Sequence, residues 1–222
     1  MAESSTRATA HIRVWDLPTR IFHLAIILLI AYLWWSEKND DIADHKLAGF
    51  ALTGLVVFRL YWGVFGSESA RFSNFLRGPR AAWRYITRRA APALGHSPLG
   101  GWSVAALLAL IAIACVSGLF AIDEDGLEAG PFAPDIGLDW AQFAAHVHAL
   151  VFDALLALIA VHVTAIIIYA LAGKNLVLPM ITGRVEEPEG APPLRFASFW
   201  RFLIGIVLAA GTAYVLWRLD NA

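Results

Sequence analysis

Four histidines in this 222-residue chain stand where their ring nitrogens can serve as metal ligands: His23, His45, His148 and His162. His148 and His162 share one run, Gln142 to Ala172, that is long and apolar enough to cross a bilayer as a single helix. A helix rises about 1.5 Å and turns about 100° per residue. Fourteen residues therefore place these two about 21 Å apart along the axis and only about 40° apart around it. His146 comes out about 160° from His162, on the opposite face. One helix face thus presents an imidazole near each surface of a hydrocarbon core roughly 30 Å thick. The simplest chemistry is two stacked sites, each asking for a nitrogen ligand.

The elements that must position them are membrane helices. The chain is 59% hydrophobic with a mean hydropathy of +0.61, and apolar runs recur at span length. Only helices and closed barrels satisfy their backbone groups in lipid, and these runs are too long for barrel strands. The expected fold is an all-α, polytopic transmembrane bundle. Its spans are near Leu17–Trp35, His45–Phe65, Trp102–Ile122, Gln142–Ala172 and Phe199–Trp217. The polar opening MAESSTRATAHIRVWDLPTR has no apolar core, so no cleaved signal peptide is expected. The single cysteine, Cys115, excludes an intramolecular disulfide, a Cys-x-x-Cys-His haem attachment and a cysteine-ligated iron–sulfur cluster. It reads as a small buried apolar residue.

Lys and Arg accumulate on the cytoplasmic side of membrane proteins. The N-terminal tail carries Arg7, Arg13 and Arg20. The second connection carries Arg71, Arg77, Arg80, Arg84, Arg88 and Arg89, and the fourth Lys174, Arg184 and Arg195. The first has only Lys38 and Lys46, and the third none. The expected orientation is N-terminus cytoplasmic and C-terminus outside. His45 and His148 then lie near the outer surface, His23 and His162 near the inner, as two pairs at matching depth. Two imidazoles per site suit bis-histidine ligation of haem b from separate helices. A zinc or nickel site usually takes three or four ligands, acids or thiols among them. The alternatives are histidines that are only interfacial or packing residues, or a non-redox membrane metal transporter. The scarcity of intramembrane acids speaks against the transporter.

Other residues sharpen or complicate this reading. Arg59 follows His45 by fourteen residues, on nearly the same face and about 21 Å deeper. There it either pairs with a haem propionate at the inner site or snorkels to the headgroups. Gly49, one turn after His45, either lets a flat macrocycle approach the backbone or packs helices. Asp153 lies about 140° round from His148, away from the outer site. His146 reads as interfacial, and His11 and His96 as loop residues. RGPRAAWRYITRRAA in the second connection suits an amphipathic surface helix. Trp83, Tyr85 and His96 there either line a quinone pocket or are ordinary interfacial residues. The fourth connection, Lys174 to Ser198, reads as irregular.

The chain also resembles a known family: the bacterial dihaem cytochromes b of the cytochrome b561 type, which include the b-type cytochrome subunit of nickel–iron hydrogenases. The resembling stretches are VWDLPTRIFH, HKLAGFALTGLVVFRLYWGVFGS, RFSNFLRGPRAAWRYI, GHSPLGGW, SGLF, the His148/His162 helix and KNLVLPMITGR, covering roughly residues 12–185. The resemblance implies a four-helix core, residues 1–185, holding two non-covalent b haems on His23, His45, His148 and His162. Residues 186–222 are then a linker and an additional membrane helix. It further implies electron transfer in a bacterial inner membrane between quinone (ubiquinone or menaquinone) and an outer-face partner. The acidic stretch DEDGLEAGPFAPDIGLD either docks a positively charged periplasmic c-type cytochrome or simply obeys the orientation rule. Within this class, a membrane subunit of a hydrogenase-like oxidoreductase and a quinone-linked superoxide oxidase are alternatives. No nucleic-acid partner is expected.

Overall fold

The computed structural model describes residues 9–76, 78, 80, 83–84, 87, 98–123, 125–188 and 194–222. Its frame is five helices, each long and apolar enough to cross a bilayer: α1 (Leu17–Lys38), α2 (Ile42–Phe65), α3 (Pro98–Phe120), α4 (Leu138–Leu171) and α5 (Phe199–Asp220). The spans expected from hydropathy agree with these helices to within four residues at every end. The fold is an all-α polytopic bundle.

Local chemistry sets the helix ends. Asp16 caps α1, its Oδ1 accepting from Thr19 N–H at 2.8 Å, with Pro18 in the first turn where no amide donor is needed. The Asp16 Oδ2 accepts from the indole N–H of Trp62 at 3.0 Å, so one buried carboxylate ties the start of α1 to the far end of α2. A tight turn with Asp40 in the left-handed region (φ 54°) reverses the chain into α2, which Asp41 caps by accepting from Asp44 N–H at 3.3 Å. The Tyr32 hydroxyl donates to the Asp44 carboxylate across that turn.

α2 is the hub, packing on α1, α3 and α5. Its contact with α5 is the most extensive between helices and is built on small residues. A Cβ on Gly54 would strike the Ala209 carbonyl, and one on Gly205 would sit 2.9 Å from the Phe58 ring. Phe202 meets Phe58 and Trp62 edge-on at 6.2 and 6.3 Å between centroids. At the far end of this seam Lys46 Nζ lies 2.8 Å from Asp220 and 3.5 Å from Glu128. α4 packs along α3 but only marginally against α1 and α2. Its inward stripe of His148, Phe152, Ile159 and His162 is accordingly half-buried.

The connections are more ordered than expected. The acidic stretch folds back on the end of α3, with Phe132 N–H donating to Leu119 O at 3.0 Å and a short bridge between Ile122 and Ala129. The fourth connection is not irregular throughout. Val177–Thr182 form a short helix ending at Gly183 (φ 78°), and β2 (Arg184–Pro188) pairs antiparallel with β1 (Thr9–Arg13). Thus β2 crosses the boundary expected near 185, and His11 lies in a strand rather than a loop. The Gly183 carbonyl accepts from Val14 and Trp15 N–H at 2.8 and 3.1 Å, and Arg20 donates to the Met180 and Ile181 carbonyls. These bonds clasp the two ends of the four-helix part together. Most of the expected surface helix, with Tyr85 and His96, lies outside the described residues; Trp83 is exposed.

Candidate cofactor site

His45 sits in the first turn of α2 and His148 three turns into α4, and the fold brings their rings together. Their centroids are 6.2 Å apart and their planes 77° apart. Each ring is held from behind by a neighbouring helix. His45 Nδ1–H donates to the Leu33 carbonyl of α1 at 3.0 Å, and His148 Nδ1–H donates to the Ala114 carbonyl of α3 at 2.8 Å. A carbonyl only accepts, so the proton sits on Nδ1 and Nε2 is left with a free lone pair. Two serines complete the arrangement. The Ser36 hydroxyl donates to Leu33 O at 3.0 Å and lies 3.3 Å from His45 Nδ1. The Ser117 hydroxyl has the Ile113 carbonyl at 2.8 Å and the Ala114 carbonyl at 3.1 Å as acceptors, and lies 3.5 Å from His148 Nδ1. In both cases the serine stands three residues after the carbonyl it shares with the imidazole.

The backbone opposite makes room for the rings. A Cβ on Gly118 would sit 3.0 Å from Cε1 and 3.1 Å from Nδ1 of His148, so α3 approaches that ring where a side chain is missing. Gly49 has no atom within 4 Å of a built Cβ, so it is not a packing glycine; it opens onto free space one turn below His45.

His23 of α1 and His162 of α4, the other two expected ligands, lie within electrostatic reach of each other. Along α4 this pair is about 21 Å from the first. Neither His23 nor His162 has a hydrogen-bond partner among the described residues. Next to His23, Phe22 packs against Arg59. Arg59 is 4% exposed, so it does not snorkel to the surface. Its guanidinium lies 4.9 Å from the Phe72 ring, 5.8 Å from Phe75 and 5.9 Å from Phe22, and it donates to the Ala70 carbonyl at 3.2 Å. A guanidinium has five N–H donors, so this buried cation retains capacity for an anion.

The donor set fits haem b at the first pair. A metal held by Nε2 of two opposed imidazoles, about 2.0–2.1 Å from each nitrogen, separates the ring centroids by roughly 6.3 Å. The half-buried inner stripe of α4 and the space at Gly49 leave room for a flat group between helices that would otherwise close-pack. Among the described residues no three His, Cys, Asp or Glu gather as for a zinc or nickel site.

The remaining candidates lie elsewhere. Asp153 is exposed on the face of α4 that points away from both pairs, and His146 is exposed on the same side. Cys115 is buried within the apolar core. Ser36, Ser117 and Gly118 were not singled out as site residues, although the last two stand inside the resembling SGLF stretch. Ser36 offered no comparable signal.

No curated protein and no solved structure matches the chain. Residues 14–183 do match the sequence model of the prokaryotic cytochrome b561 family, from Val14 to the Gly183 that accepts its hydrogen bond. This match excludes α5, which is packed on α2 from outside the family's common part. With most of its length matched, and with a helical membrane bundle around paired histidines, the chain belongs to the prokaryotic cytochrome b561 family of membrane b-type cytochromes.

Proposed function

We propose that the chain carries electrons across a bacterial inner membrane through two bis-histidine b haems, between the quinone pool and a redox partner at the outer face. The observation that carries this reading is the His45–His148 pair, its ring centroids 6.2 Å apart and each Nδ1 bonded to a main-chain carbonyl, which leaves Nε2 as the ligand nitrogen. His23 of α1 and His162 of α4 hold the second haem, about 21 Å along α4 from the first. Bound haem supplies a one-electron couple at each site.

The protein's own groups do the rest. The Leu33 and Ala114 carbonyls fix which nitrogen faces the metal and how each ring is turned. Arg59, buried against Phe22 on the helix that carries His23 and with unused donors, holds a haem propionate. The Lys/Arg bias of the tail and connections sets the orientation, with His45 and His148 outside and the C-terminus periplasmic. The acidic stretch at that end, with Asp125, Asp135 and Asp139 exposed, receives a positively charged soluble partner such as a c-type cytochrome.

The test is electron transfer across a sealed vesicle. Protein is reconstituted with quinol in the bilayer and ferricyanide, which does not cross it, outside; orientation is scored by protease access to the N-terminal tail. Ferricyanide should be reduced by vesicles displaying the His45–His148 end outward, and His148→Ala should abolish this. Equal rates for the variant and the unaltered protein would overturn the proposal.

A further inference from the structure

α2 and α4 carry His45 and His148 but touch each other only marginally, so the spacing of the two rings is set by what lies between them. One such element is α3, which packs along α4 and reaches α2. The other is the connection after α3, which folds into a tight turn. Ile122 bridges Ala129, and Asp123 N–H donates to the Glu128 carbonyl at 2.9 Å. The Asp123 carboxylate accepts from Leu127 and Glu128 N–H at 2.8 and 3.1 Å, and Gly126 (φ 71°) makes the reversal. Glu128 is therefore held at both its backbone groups, and its carboxylate meets Lys46 Nζ at 3.5 Å. On the other flank of the turn Gly130 lies against α3. A Cβ there would strike the Gly118 carbonyl, and Gly130 N–H donates to Ala121 O at 2.8 Å. Gly118 is the residue whose own missing side chain admits the His148 ring. The turn thus links the residue after His45 to the backbone that flanks His148.

Lys46 has a second carboxylate, Asp220, at 2.8 Å. Asp220 is the last residue of α5, and α5 is held along α2 by close approach at Gly54 and Gly205. The side chains of Lys46 and Asp220 are only 22% and 13% exposed, so this pair is screened less than a surface ion pair. A cation at the C-terminal end of α5 also offsets the partial negative charge of that helix end. We propose that Asp220, Lys46 and Glu128 form a clasp that fixes α2 to the turn beside α3 and so sets how the His45 and His148 rings face each other. Lys46 is its positioning residue and α5 its anchor. The effect on a cofactor rests on the dihaem reading above; the clasp itself does not. It gives α5, which the family match leaves out, a part in shaping the site. The longer arm, from Lys46 to the half-exposed Glu128, is the one that salt weakens.

The experiment follows the purified full chain in detergent by two readouts. Amide hydrogen exchange, read by mass spectrometry over the turn, reports whether the Gly130 and Phe132 amides stay bonded to Ala121 and Leu119. Electron paramagnetic resonance reports the low-spin ferric haem that His148→Ala removes. In Lys46→Met and in Glu128→Gln the turn should exchange about two- to fivefold faster, the factor expected of partly exposed ion pairs. The signal of the His148 haem should shift in both, and that of the other haem should stay. Asp220→Asn should do the same through Lys46, and Lys46→Arg should keep the behaviour of the unaltered protein. Added salt should speed exchange in the unaltered protein and do so less in Glu128→Gln. Unchanged exchange in both Lys46→Met and Glu128→Gln would overturn the clasp. Faster exchange with an unshifted His148 signal would overturn the positioning role of Lys46, and an Asp220→Asn protein like the unaltered one would remove α5 from it. A chain with fewer than two haems would overturn the dihaem reading instead, while the exchange rates still decide the clasp.

Discussion

A glycine shapes the surroundings of the His45–His148 pair. Gly118 faces the His148 ring at a distance where a methyl group would touch two ring atoms at 3.0 and 3.1 Å, while the carbonyl of Ala114 anchors the same ring from behind. Gly118→Ala should therefore displace His148 from its bond to Ala114. The expected result is loss of the His148 haem with retention of the other, and overpacking of about 1–3 kcal/mol. Reduced-minus-oxidised spectra with haem counted per chain read this directly; two haems retained with an unshifted spectrum would show that the ring does not depend on that gap. At this scale the sequence was legible where chemistry is conspicuous. Imidazoles inside apolar spans stand out because polar groups there are expensive. Ser36, Ser117 and Gly118 did not stand out, because small and hydroxyl residues are ordinary in membrane helices. Their partners, moreover, are main-chain carbonyls, which carry no sequence signal. Arg59 was legible as a buried-site candidate, but the three phenylalanines around it come from α1 and the segment after α2, which spacing along α2 does not reveal.

Among the elements, α5 stands apart: it lies outside the family match and yet forms the closest helix seam in the molecule, against the ligand-bearing α2. The contact depends on Gly54 meeting the Ala209 backbone, with Ala213 also in reach of a Cβ at 3.4 Å. Gly54→Val should wedge the helices apart, costing about 1–3 kcal/mol. In detergent the thermal midpoint should fall while haem content at low temperature stays at two, because the ligands lie on other faces. A haem content that drops in parallel would make α5 part of cofactor binding rather than a brace. Hydropathy located α5 as a span but said nothing of its neighbour, since helix partners in lipid are chosen by small residues and shape. The β1–β2 pair escaped sequence reading for another reason. Each strand is five residues long, and they meet only because the four-helix part returns the chain beside its own start. Short segments paired over so long a separation have no local signature.

At the scale of the whole molecule, four of the five apolar helices carry or brace the histidines spaced along α4, and the His45–His148 pair is tied to main-chain carbonyls on both sides. Composition and hydropathy make the class of fold plain, and the charge pattern is what pairs the histidines by depth. What it did not reveal is the asymmetry of the bundle: α4 leans on α3 and leaves the interior toward α1 and α2 open, and Asp153 turns outward. The central claim is that this interior holds one b haem on each pair. Haem counted per polypeptide in the unaltered protein and in His148→Ala and His162→Ala tests it most directly. Two low-spin b haems are expected in the unaltered protein and one in each variant, with the spectrum of the missing haem differing between them. One haem or none in the unaltered protein, or two in either variant, would contradict it.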